Sequence, residues 1–127
     1  MQRKKKSRSF HTKVVGVTFQ NSDGSDRQDI IHRRCRAGDE LALSSEPDNP
    51  HADHAVAVYV TKKGWLGGVK TYQIGYLPDD SSAAQEAFDH IESGRVGAAQ
   101  ISEITGGTHH KPTLGVNIKI TLYGDDV

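Results

Sequence analysis

Residues 46–60 read EPDNPHADHAVAVYV, a stiff corner followed by an alternating run of valines. Pro47 and Pro50 fix φ on either side of Asp48 and Asn49, whose side chains readily hydrogen-bond their own backbone in turns. Pro50 also drives Asn49 out of the α region. The result is a rigid loop that presents Asp48, Asn49 and His51 just before a strand, AVAVYV (55–60), with Val56, Val58 and Val60 on one face. Rigid loops on strand scaffolds are frequent seats of binding residues.

The same reading extends in both directions. KVVGVTFQ (13–20) alternates as a strand, NSDGSD is turn chemistry, and RQDIIHRRC (27–35) is a short helix stopped by Gly38. ELALS (40–44) is a strand, KKGWLGG (62–68) a loop, and KTYQIGYLP (70–78) a further strand ending at Pro78. DDSSAAQEAFDHIESG (79–94) is the clearest helix, with Ala84, Phe88 and Ile91 on its apolar face and Gly94 ending it. GAAQISEIT (97–105) and LGVNIKITLY (114–123) are strands across the loop GGTHHKP, and Val116, Ile118, Ile120 and Leu122 face inward. Six strands and two helices predict a mainly β fold, a small curved antiparallel sheet or barrel with helices over its open side.

Composition limits the function classes. A chain of 127 residues with 35% apolar residues suits one small domain. No run approaches the roughly 18 apolar residues of a membrane span. The basic N-terminus is not followed by the apolar stretch of a secretory signal. Cys35 is the sole cysteine, so an intrachain disulfide is impossible and a reducing, intracellular setting, cytoplasmic or nucleoid-associated, is expected.

Charge is unevenly spread. Residues 1–13 carry six cations and no acid; removing them from 16 Lys plus Arg leaves 10 against 16 acids, a body of about −6. Residues 1–12 therefore read as a disordered basic tail, 13–123 as the domain and 124–127 as a C-terminal tail. An acidic body argues against broad duplex binding, which neutralises many phosphates, but leaves room for a small shaped nucleic-acid site.

VVGVTF (14–19), GDELAL (38–43), EPDNPHADHAVAV (46–58) and IGYLP (74–78), in that order and ending in GVNIKITLY, resemble a HIRAN domain. The helical stretch DGSDRQDIIHRRC resembles the longer, bacterial-looking, stand-alone form. The resemblance spans roughly residues 13–123 and its specificity lies in the combination. It implies a modified OB-like small β-barrel and recognition of single-stranded DNA at a free 3′-hydroxyl end, without catalysis. It also implies partners of the DNA-repair or remodelling kind.

Members that bind DNA ends place an Arg-aromatic pair at the end of the first strand, where this chain has Thr18 and Phe19. Their corner carries Asn, an aromatic and Asp; here those positions match Asp48, His51 and Ala52, with Asp53 displaced by one. Their later His and basic residue match Tyr76 and Asp79. Stacking surfaces are kept while the phosphate-clamping charges are mostly replaced, which implies weaker binding or a different ligand. The predicted pocket combines Phe19, Asp48, His51 and Tyr76, with Asn49 beside them.

Further cations and an indole offer compensation. Arg33 and Arg34 lie near a helix end, where they serve either as a solvated face or as phosphate contacts. Trp65 stands on a Gly-rich loop between Lys62, Lys63 and Lys70. It either stacks on a single strand or folds back to plug the barrel.

Enzymatic signals are sparse. Cys35 among arginines is a nucleophile only if its pKa is lowered, and otherwise a small buried group at a helix end. HADH (51–54) and His109-His110 offer metal donors without zinc-finger spacing. No GxxxxGK[ST] or G-x-S-x-G is present. The expected protein is a monomer without cofactor or metal that binds nucleic acid. A protein-interaction adaptor with a degenerate pocket, and a small metal-dependent hydrolase, are the alternatives.

Overall fold

The computed structural model describes residues 7–79, 81–94 and 96–123. Six strands form one antiparallel sheet: β1 (Ser7–Lys13), β2 (Glu40–Glu46), β3 (Ala55–Lys63), β4 (Val69–Tyr76), β5 (Val96–Gly106) and β6 (Leu114–Tyr123), in the spatial order β1-β6-β5-β2-β3-β4. The fold is mainly β with two helices, as expected, and the sheet is not a closed barrel. Its two edges meet at one corner. Val14 still bonds to Val116 of β6, but Val15 crosses to β4 and exchanges both backbone hydrogen bonds with Tyr76, at 2.8 and 2.9 Å.

That crossing needs a bulge and a glycine. The β3–β4 register shifts between Val58 and Tyr59, leaving Ile74 as the extra residue, and Gly75 follows. A Cβ on Gly75 would collide with the Val15 carbonyl and a Val14 methyl. A strand glycine is characteristic of such close backbone approach.

The first strand differs from the expected one. Residues 13–20 do not continue as a strand, because Gly16 takes φ +73° and Phe19 N–H closes a turn onto the Gly16 carbonyl at 3.2 Å. The first strand lies earlier, in SRSFHTK, paired residue for residue with β6 from Ser7↔Tyr123 to Lys13↔Asn117. Residues 7–12 are thus an edge strand and not part of a disordered tail. Only Phe10 of this strand packs against the core, so the strand is held by its backbone ladder, which leaves little apolar periodicity. Residues 1–6 and 124–127 lie outside the described residues.

Two helices cover the sheet. Helix α1 (Arg27–Arg34) is capped by Asp26, which accepts from Gln28 N–H, and buries Ile30 and Ile31. Helix α2 (Ser82–Glu92) is capped by Ser81, which accepts from Ala84 N–H, and ends before Gly94 at φ +73°. Ala84 and Ala87 are fully buried, while Phe88 and Ile91 are half-buried and pack on the core margin. The inward face of α2 is therefore built on alanines that allow close approach to β2 and β3. The core itself joins Val56, Val58 and Val60 with Ile74, Leu77, Ile101, Val116, Ile118, Ile120 and Leu122. The inward residues read from the last strand are all buried.

Candidate functional site

A cleft of about 700 Å³ opens at the corner where the sheet edges meet. Three separate segments supply most of its lining. The Gly16–Phe19 turn supplies Val15, Gly16 and Phe19; the proline corner supplies Asn49, His51 and Ala52; the end of β4 supplies Tyr76, Leu77 and Asp79. Three ring side chains, Phe19, His51 and Tyr76, thus line one wall-to-wall space, and Phe19 remains 66% exposed rather than joining the core.

The corner is held by its own hydrogen bonds. Asn49 N–H donates to the Glu46 carbonyl at 3.1 Å, and the Asn49 Oδ1 accepts from His51 N–H at 2.8 Å. Glu46 Oε1 accepts from both Asn49 Nδ2, at 3.0 Å, and the Tyr76 hydroxyl, at 2.9 Å. One carboxylate therefore fixes both the corner and the Tyr76 ring. This half of the site is preformed, so little ordering cost accompanies binding.

Asp48 is exposed and does not line the cleft; Asn49 takes its place. Thr18 is exposed on the turn, also off the lining. The residue that composition and spacing did not disclose is Arg27. It is 7% exposed and lines the cleft from the first turn of α1. Its Nε donates to Asn21 Oδ1 at 2.7 Å and its Nη1 to the Gly16 carbonyl at 2.8 Å, with the guanidinium 5.5 Å from the Tyr76 ring centroid. These partners are neutral, and no ion pair to Arg27 occurs among the described residues. A buried guanidinium whose hydrogen-bond partners are all neutral has no carboxylate to offset it, which suits the approach of an anion. One sequence signal existed. An Arg at the first helical position opposes the helix dipole, so the helix itself does not favour it there.

Neighbouring Gln28 fastens the same floor. Its amide donates to the carbonyls of Val17 and Leu114 and accepts from Leu114 N–H, at 2.8–3.0 Å. The turn carrying Phe19 is thereby tied to β6.

The remaining predicted residues gather elsewhere. Arg34, Lys62, Lys63 and Trp65 line a second groove at the β3–β4 hairpin tip, together with Lys70 and Tyr72. Trp65 is 93% exposed, so it does not plug the fold. Lys62 pairs with Asp39 at 2.7 Å, and Arg33 with Asp29 at 2.8 Å along the helix.

The candidates for catalysis separate. Cys35 is buried, and burial together with nearby Asp39 pushes its thiol up to about 11, the opposite of an activated nucleophile. His51 and His54 border a shallow depression beside the cleft, with Asp53 and Asp79. His54 meets Phe88 edge-on at 5.1 Å. Among the described residues, no three His, Cys, Asp or Glu side chains are arranged to hold a metal ion. No helix among them is long and apolar enough to cross a membrane.

Comparison with known proteins adds three findings. The family model for the HIRAN domain matches residues 7–122. Among curated proteins, none matches the chain. Among solved structures, the crystal structure of the HIRAN domain of human HLTF superposes with a TM-score of 0.57 at 16% identity, covering 93% of this chain and 77% of that one. At that identity the superposition speaks for the fold. The matched segment begins at the edge strand β1.

Proposed function

The chain belongs to the HIRAN domain family, a family known for nucleic-acid binding, and we propose that it takes the free 3′-hydroxyl end of single-stranded DNA into the cleft at the sheet corner. The domain acts as a binding module and carries out no chemistry of its own. One observation carries this reading: three rings from three distant segments converge on a preformed cleft whose floor holds a buried arginine with neutral partners only.

Each feature has a task. Phe19, His51 and Tyr76 offer faces for the terminal bases, at about 1–3 kcal/mol per base stacked. Arg27 supplies a cation for the last internal phosphodiester, replacing the arginine missing beside Phe19. Asp79 at the rim, together with Asn49, accepts a hydrogen bond from the terminal hydroxyl. A 3′-phosphate, fully ionised, donates nothing there and is repelled by the Asp79 carboxylate. The cleft therefore favours hydroxyl ends and disfavours phosphorylated ones.

Fluorescence anisotropy with short labelled oligonucleotides at low salt provides the test. Strands with 3′-hydroxyl ends are expected to bind more tightly than 3′-phosphorylated ones. Phe19→Ala and Tyr76→Ala each lower binding on the folded domain, and Tyr76→Phe retains most of it. Equal binding of both end types, unaffected by Phe19→Ala, would overturn end recognition and favour a protein ligand for the cleft.

A further inference from the structure

The β3–β4 hairpin tip carries an apolar, cationic surface that the cleft does not need. Trp65 and Leu66 on a tight Gly64–Gly68 turn, and Val69 at the start of β4, are 93%, 80% and 66% exposed. The groove beneath them is lined by Arg34, Lys63 and Lys70, and by Lys62, whose ammonium is paired with Asp39; no carboxylate is among the lining residues. Arg34 stacks on Tyr72, with its guanidinium 4.3 Å from the ring centroid. An exposed indole amid cations, with a second ring already backed by a guanidinium, suits the alternating base and phosphate chemistry of a single strand.

The tip is also aligned with the cleft. Helix α1 lies along β4, with Arg27 over Tyr76 in the cleft and Arg34 over Tyr72 at the groove. From Tyr76 to Lys70 is six residues of strand, about 20 Å. That span lies within the footprint of the about 4–16 nucleotides typical of OB-fold sites. We infer that the hairpin tip is a second contact site for the same single strand, engaging nucleotides upstream of the end held in the cleft. This rests on the single-strand reading of the cleft for the course of the strand. It assigns the electrostatic part of binding to the tip and the end preference to the cleft.

Trp65 is the only tryptophan, so its emission reports the contact directly. The full-length chain is titrated with a 16-nucleotide oligothymidylate bearing a 3′-hydroxyl, a 3′-phosphorylated copy, and phosphatidylserine vesicles. The 16-mer is expected to quench Trp65 emission, with saturation at one strand per protein. Trp65→Ala should weaken both 16-mers by the same factor, about 5- to 150-fold, and leave their ratio unchanged. Lys63→Glu with Lys70→Glu should flatten the salt dependence by about 0.7 in log–log slope per lost phosphate contact.

Absence of quenching, saturation at two strands, or a Trp65→Ala effect on the end ratio would overturn the inference. A blue shift with vesicles but no response to the 16-mer would replace the strand with a lipid surface. If both end types bind equally while Trp65 is still quenched and its substitution still costs affinity, end recognition has failed and the tip contact stands.

Discussion

The cleft and the hairpin tip present similar side chains in opposite states. In the cleft, the cation is buried and held by Asn21 and Gly16, the tyrosine is pinned by Glu46, and a carboxylate stands at the rim. At the tip, the indole is 93% exposed and the groove lining holds four cations, of which Lys62 is paired with Asp39 outside the lining. A fixed, mixed-charge cleft discriminates between chemical groups, because its donors and acceptors cannot rearrange to suit the wrong one. An exposed cationic surface accepts any single strand and contributes affinity that salt removes. The mildly acidic body predicted from composition is consistent with this division.

The largest effect is expected from the core of the sheet. Ile118 is fully buried in β6. Ile118→Ala should destabilise the fold by about 2–5 kcal/mol in urea denaturation, lowering binding at both sites only in proportion to the unfolded fraction. Phe88, half-buried on α2, should cost less than the about 3–5 kcal/mol of a fully buried phenylalanine. An equal loss for Phe88→Ala would place the helix face deeper than the structure does.

A smaller effect separates the two sites. Gly75→Ala forces a methyl group into the Val15 carbonyl at the corner where the sheet edges meet. Overpacking of this kind costs about 1–3 kcal/mol, and the displaced Val15 carries the Gly16–Phe19 turn with it. The expected outcome is loss of the preference between 3′ ends, read by anisotropy, with Trp65 quenching retained. Retained end preference would show that the corner does not shape the cleft.

The smallest effect sharpens the contrast from the other side. Trp65→Ala should change stability by no more than about 0.5 kcal/mol, the usual range for exposed positions. A thermal or urea midpoint displaced well beyond that would mean the indole packs on the fold, contrary to its exposure.

Five of the six strands and both helices were legible because their signals are local: valine alternation in 55–60, inward isoleucines in 114–123, and Asp or Ser caps before each helix. The corner was legible for the same reason, since prolines and an Asx residue act on their own backbone. Strand β1 was not, because an edge strand with one apolar contact is defined by its partner β6 and not by its own pattern. The cleft was legible in its rings and not in its charges.

The mainly β class, the two helices, the stiff corner and the ring-bearing residues Phe19, His51 and Tyr76 are all written in the sequence. All of these follow from torsional and periodic preferences acting over a few residues. Tertiary contacts alone put Asn49 and not Asp48 on the cleft, Arg27 against the Tyr76 ring, and Trp65 clear of the core. Each of those outcomes depends on which distant backbone lies alongside. Val15 meeting Tyr76 across the sheet edges brings the Arg27 side chain under the ring, and no local preference encodes that meeting.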